Sequence, residues 1–142
     1  MTALPGAAMQ NILVIDDERS VRDAIKRVLE RAGFATRCAA GVAEGLAQLR
    51  DLPADVVVTD IIMPEIDGVA AIEMLRREHP DVRIVAISGG GNFDIAAYQP
   101  AAITTTAYLA AARKAGADVV ITKPFGSEDL VRSIGEALGA AR

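Results

Sequence analysis

Uninterrupted apolar runs that stop at charged residues constrain this chain more than any other feature. Ile12-Leu13-Val14-Ile15 stops at Asp16-Asp17-Glu18, Val56-Val57-Val58-Thr59 stops at Asp60, and Val119-Val120-Ile121-Thr122 stops at Lys123-Pro124. A run that is apolar at every position, not every second one, suits a parallel-sheet strand covered by helices on both faces. In such sheets ligands bind beyond the carboxyl ends of the strands, where the strand order reverses. Carboxylates converging there would repel one another strongly unless a cation sat among them. Oxygen donors without His or Cys favour a hard ion, usually Mg²⁺, which leaves positions open for a phosphoryl group. Lys123 at the same rim supplies the matching positive charge.

Between the strand-like runs the periodicity becomes helical. Val21, Ala24, Ile25, Val28 and Leu29 fall on one helical face, with Gly33 as a C-terminal cap. A short strand over 34–39 and a helix over 42–49 follow, and Pro53 breaks the chain before the next strand. A helix over 69–78 is closed by His79-Pro80, and a fourth strand runs over 83–88. Beyond an irregular stretch, an Ala-rich helix is expected over 101–115 and a strand over 118–122. A last helix is expected over 127–138, with Ser127 as its N-cap.

Five strands alternating with five helices predict a three-layer α/β fold, a (βα)₅ doubly wound parallel sheet with right-handed crossovers. The flavodoxin-like strand order 2-1-3-4-5 brings Asp16, Asp17 and Asp60 into one pocket. Half of a classical dinucleotide-binding sheet would leave them without a purpose. At 142 residues the chain is one domain by length, and half of it (51%) is apolar with only 4% aromatic, so the core is aliphatic and Ala-rich.

A net charge of −4 argues against nucleic-acid binding, which needs a basic face. The single Cys38 excludes an internal disulfide, is expected to be a small buried strand residue, and fits a cytoplasmic location. No apolar stretch reaches the ~20 residues of a membrane span, and residues 1–9 carry no signal-peptide pattern and read as a flexible N-terminal extension. Gly89-Gly90-Gly91 lacks the spacing of either phosphate-cradling motif. His79 reads as a capping or solvated residue, and Glu18 as support for the acidic pocket or the first helix's N-terminus.

Ile15-Asp16-Asp17-Glu18, Asp60 followed by Met63-Pro64 and Asp67-Gly68, Ser88-Gly89, and Lys123-Pro124-Phe125 together resemble the signature of the response-regulator receiver domain. The resemblance spans roughly Asn11 to Leu138, making residues 10–142 a receiver domain of a two-component system. It implies that Asp60 is the phosphoacceptor, taking a phosphoryl group from the phosphohistidine of a sensor histidine kinase or histidine phosphotransfer protein to give an aspartyl phosphate. It also implies Mg²⁺ held by Asp17, by Asp16 through water, by Asp60 and by the backbone carbonyl of Ile62. Ser88 and Lys123 would bind the phosphoryl oxygens with backbone N–H groups of Gly89 and Ile62, and Lys123-Pro124 would be a cis peptide.

Two departures from the family pattern stand out. Val120 occupies the strand-five position where receivers carry a Tyr or Phe ring, and 34 residues separate Ser88 from Lys123 where ~20 to 28 would serve. The segment from Gly89 to Pro100 is thus either a loop that reorganises on phosphorylation, with Phe93, Tyr98 or Tyr108 replacing the ring, or a tolerated surface insertion. The resulting expectation is a stand-alone signalling receiver, not an enzyme, that works by protein contact or onward phosphotransfer in a phosphorelay, as a monomer or weak homodimer. The alternatives are a receiver-like interaction module that works without phosphorylation and an aspartate-nucleophile phosphatase. The second would need an Asp where Ile62 stands.

Overall fold

The computed structural model describes residues 9–61, 68–88 and 105–140. Five strands, β1 (Asn11–Ile15), β2 (Ala35–Ala39), β3 (Val56–Asp60), β4 (Arg83–Ser88) and β5 (Val119–Thr122), form one parallel sheet in the order β2-β1-β3-β4-β5. Helices α1 (Arg19–Arg31), α2 (Val42–Asp51), α3 (Gly68–Glu78), α4 (Thr105–Ala115) and α5 (Ser127–Gly139) alternate with them. The fold class and strand order expected from the sequence are those observed.

The continuous apolar runs have the expected cause, since each strand feeds two cores. Leu13, Ile15, Val57, Ile84 and Ala86 face α2, α3 and α4, meeting Leu46, Leu49, Ile72, Leu75 and Ala112. Their neighbours Ile12, Val14, Val56, Val58, Val85 and Ile87 face α1 and α5, meeting Ile25, Leu29, Leu130, Ile134 and Ala137. Val120 packs half-buried against the first core, so its side chain fills aliphatic space.

Helix ends follow the expected chemistry, with one correction. Gly33 (φ 100°) closes α1: its N–H donates to the Glu30 carbonyl at 3.0 Å, and the Phe34 N–H donates to Leu29 at 3.0 Å. These two bonds satisfy orphan carbonyls and make Phe34 part of the cap, so β2 starts at Ala35. Gly116 (φ 129°) ends α4 in the same way, with the Ala117 N–H donating to Ala112 at 3.0 Å. The N-cap of α5, however, is Gly126 and not Ser127, which is already the first helical residue. The Asp129 carboxylate, at the third helical position, reaches back to accept the Gly126 N–H at 3.1 Å, and no side chain caps the helix from the N-cap position. Cys38 is on β2 as expected but only half-buried. The expected start of the fourth helix at Ala101 and the whole Gly89 to Pro100 segment, including Phe93 and Tyr98, lie outside the described residues, as does the extension before Met9. So does the Tyr108 side chain.

Candidate functional site

Strand register aligns the chemistry at the carboxyl edge of the sheet. Ile15 pairs with Thr59, Asp60 with Ile87 and Ser88 with Thr122, so the residues ending β1, β3, β4 and β5 share one rim. Asp60 is only 6% exposed, and its Oδ2 lies 3.2 Å from the Lys123 Nζ. The Lys123 N–H also donates to the Ser88 carbonyl at 2.9 Å, tying the lysine to the end of β4. The peptide between Lys123 and Pro124 is cis, as the resemblance implied.

Asp16 is 2% exposed and has two different oxygens. Its Oδ1 accepts the Glu18 N–H at 2.8 Å, capping the start of α1, while Oδ2 has no hydrogen-bond partner among the described residues. Glu18 is the N-cap by backbone geometry but makes no side-chain capping bond, so Asp16 fills the role that Glu18 was one candidate for. Burial pushes the Asp16 carboxyl up to about 6. The Glu18 N–H and Lys123 oppose that rise, and the Asp60 and Asp17 charges add to it. Asp17 is exposed.

Ser88 is fully buried, and its Oγ also lacks a partner among the described residues. A buried carboxylate oxygen and a buried hydroxyl left bare at one rim are costly in an isolated fold. Both are accounted for if a cation and an anionic group complete the site. The donor set is compatible with Mg²⁺, because Asp16 and Asp60 both offer carboxylate oxygens at the same rim of the sheet. Among the described residues, though, no three acidic side chains converge on one point. Ile62 and Gly89, expected to give a carbonyl and an N–H, lie outside the described residues.

Two contributors were not singled out from the sequence. Arg22 donates from Nη1 to the Asp16 carbonyl at 2.7 Å, bracing the bend between β1 and α1. An open groove of about 680 Å³ also runs between α1 and α5 beside Lys123, floored by Val21, Ile25, Val28, Phe125 and Leu130. Part of its signal was present in the stripe of α1, which carries more apolar residues than the two, Ile25 and Leu29, that are buried.

Comparison with known proteins places these features in context. The profile of the response regulator receiver domain matches residues 12–135. The C4-dicarboxylate transport transcriptional regulatory protein DctD of Rhizobium meliloti is 32% identical over 127 residues, covering 89% of this chain but 25% of DctD. The chain thus spans about a quarter of that curated relative. The crystal structure of the receiver domain of NtrX from Brucella abortus is 30% identical, with a TM-score of 0.76 over 92% of this chain and 99% of that one. The chemotaxis protein CheY4 of Vibrio cholerae shares the fold, at 23% identity and a TM-score of 0.76 over 92% and 100% of the two chains.

Proposed function

The chain belongs to the response-regulator receiver family, and on that premise we propose that Asp60 is the group that accepts the phosphoryl. A carboxylate oxygen of Asp60 attacks the phosphorus of a phosphohistidine on a sensor kinase or phosphotransfer protein. The P–N bond breaks, the imidazole leaves and takes up a proton, and an acyl phosphate remains on Asp60. Little covalent work falls to the protein, so catalysis rests on positioning and charge.

The residues divide that work. Lys123, already on the Asp60 carboxylate, is positioned to pair with a transferred phosphoryl oxygen once the aspartate charge is spent in the new bond. The Ser88 hydroxyl, buried and without a partner among the described residues, donates to another. Asp16, Asp17, Asp60 and the carbonyl of Ile62 would hold Mg²⁺, which when bound offsets charge on the phosphoryl oxygens. The groove between α1 and α5 suits the apolar face of a donor helix, because it opens beside Lys123. The protein then signals by contact or by passing the phosphoryl group on. It acts in the cytoplasm as a monomer or weak homodimer and turns over no separate substrate. No helix among the described residues is long and apolar enough to cross a membrane.

The observation that carries this reading is the 3.2 Å Lys123–Asp60 pair beside the bare Ser88 hydroxyl. An interaction module working without phosphate would gain nothing from burying either. Intact mass after incubation with acetyl phosphate and Mg²⁺ tests it. Wild type should gain one phosphate, and Asp60→Ala or chelation of the metal should abolish the gain. Phosphate retained by Asp60→Ala would defeat the assignment.

A further inference from the structure

One arginine gathers the far end of the molecule. Arg76, in the last turn of α3, donates from Nη1 to the carbonyls of Pro80 (2.9 Å) and Val82 (2.6 Å). Its Nη2 donates to the Gly116 carbonyl (2.7 Å) and pairs with Asp118 Oδ2 at 3.2 Å. Asp118 in turn accepts the Ile84 N–H at 2.8 Å, at the start of β4. A single half-buried side chain thus joins α3, the turn into β4 and the turn between α4 and β5. Gly116 permits the approach, since a Cβ there would sit 3.1 Å from Arg76 Nε in a backbone conformation (φ 129°) that already favours glycine.

The other end of α3 abuts the site. Gly68, its first residue, packs so tightly on the backbone after Asp60 that a Cβ there would overlap the Ile61 carbonyl group. Ile61 is itself tied to β4 by its N–H, which donates to Ile87 at 3.0 Å. The contact between Gly68 and Ile61 is backbone against backbone, with no side chain to absorb a displacement. Between the two contacts runs an 11-residue helix, about 16 Å of hydrogen-bonded rod, its Ala71, Ile72 and Leu75 fully buried.

We infer that α3 is a strut through which the chemical state of Asp60 reaches the turn between α4 and β5, with Arg76 as the positioning residue at its distal end. The inference rests on the phosphoacceptor reading. It gives this chain a route that needs no aromatic ring on β5, where Val120 fills the space with aliphatic packing. A shift of Ile61 as Asp60 gains the phosphoryl group moves Gly68. The helix carries the movement as a body, and Arg76 hands it to Gly116 and Asp118 in the fixed geometry of its planar fork.

The test is amide hydrogen exchange on the full chain with acetyl phosphate and Mg²⁺, with phosphate content followed by intact mass. In wild type, phosphorylation should change exchange at least threefold at Ile84, Gly116, Ala117 and Asp118. Arg76→Met keeps the aliphatic stem and removes the fork; it should take up phosphate within about twofold of wild type yet lose the change at Gly116 to Asp118. Asp118→Asn keeps an oxygen for the Ile84 N–H, guards against a folding failure of the first variant, and should blunt the same change. Phosphate uptake by wild type with no change at Gly116 to Asp118, or a change that survives in both variants, overturns the strut and leaves the acceptor reading standing. Absence of phosphate on wild type overturns both.

Discussion

Asp16 shows how a single residue can carry a charge that its fold resists. Burial raises its carboxyl from 3.8 to about 6, so between those values the folded chain holds a proton that the unfolded chain has released. Stability of the metal-free protein therefore falls as pH rises through that window, by on the order of 3 kcal/mol from this group alone. Urea denaturation in chelator should show the decline between about pH 4 and 6. Asp16→Asn should flatten it, stabilise the metal-free protein at pH 7 by about 1 to 3 kcal/mol, and cost it Mg²⁺-dependent phosphate uptake. Ser88→Ala is the neutral counterpart. Removing a buried hydroxyl that has no described partner should leave stability unchanged or raise it by up to ~1 kcal/mol, while slowing phosphate uptake in the mass assay. The positions of both residues were legible in the sequence, because polar groups interrupted apolar runs. Their bare oxygens were not, since these depend on how Oδ1 is used by the α1 cap and on a burial that only the assembled sheet produces.

At the scale of elements, glycines mark where one backbone meets another. What faces Gly45 in α2 differs from what faces Gly68 at the start of α3. A Cβ at Gly45 would lie 2.6 Å from Ile15 Cδ1, the far end of a flexible side chain. At Gly68 it would strike the Ile61 backbone, which cannot turn aside. Gly45→Ala also gains helix propensity of roughly 0.8 to 1 kcal/mol, so its net cost should stay below ~1.5 kcal/mol. Gly68→Ala should cost at least ~3 kcal/mol or displace the chain after Asp60, and its phosphate uptake should fall with it. Denaturation midpoints of the two variants, compared at equal m-value, check the ordering. Periodicity located α1 and α2 to within a few residues, because their apolar stripes are strong. Ends were less legible: Ser127 had the chemistry of a cap, but the helix begins one residue earlier than that role requires, with Gly126 as N-cap and its N–H held by Asp129. Arg76 gave no signal, because its partners lie up to 42 residues away in sequence.

For the whole molecule, the sheet is a partition. Strand order was legible because only 2-1-3-4-5 gives Asp16 and Asp60 a shared rim. The groove beside Lys123 was not, since it depends on how the turn after Pro124 sets α5 against α1. The partition also makes an energetic claim. Leu29 on α1 and Leu75 on α3 are both fully buried, each in a different core, with the sheet between them. Leu29→Ala and Leu75→Ala should each cost about 2 to 5 kcal/mol, the loss of transfer energy plus the cavity left behind. Because the residues share no contact and the strands are braced from both faces, the double variant should lose the sum of the two within ~0.5 kcal/mol. Yet unfolding should remain one transition, because Leu13 and Val14 are neighbours on the same strand and neither layer can dissolve without exposing the other's floor. Urea unfolding of the four proteins of this cycle, followed by both far-ultraviolet circular dichroism and hydrogen exchange, measures both parts. A coupling above 1 kcal/mol would mean that the sheet transmits strain between its faces, and separate transitions for the α1 and α3 layers would mean that it fails to join them.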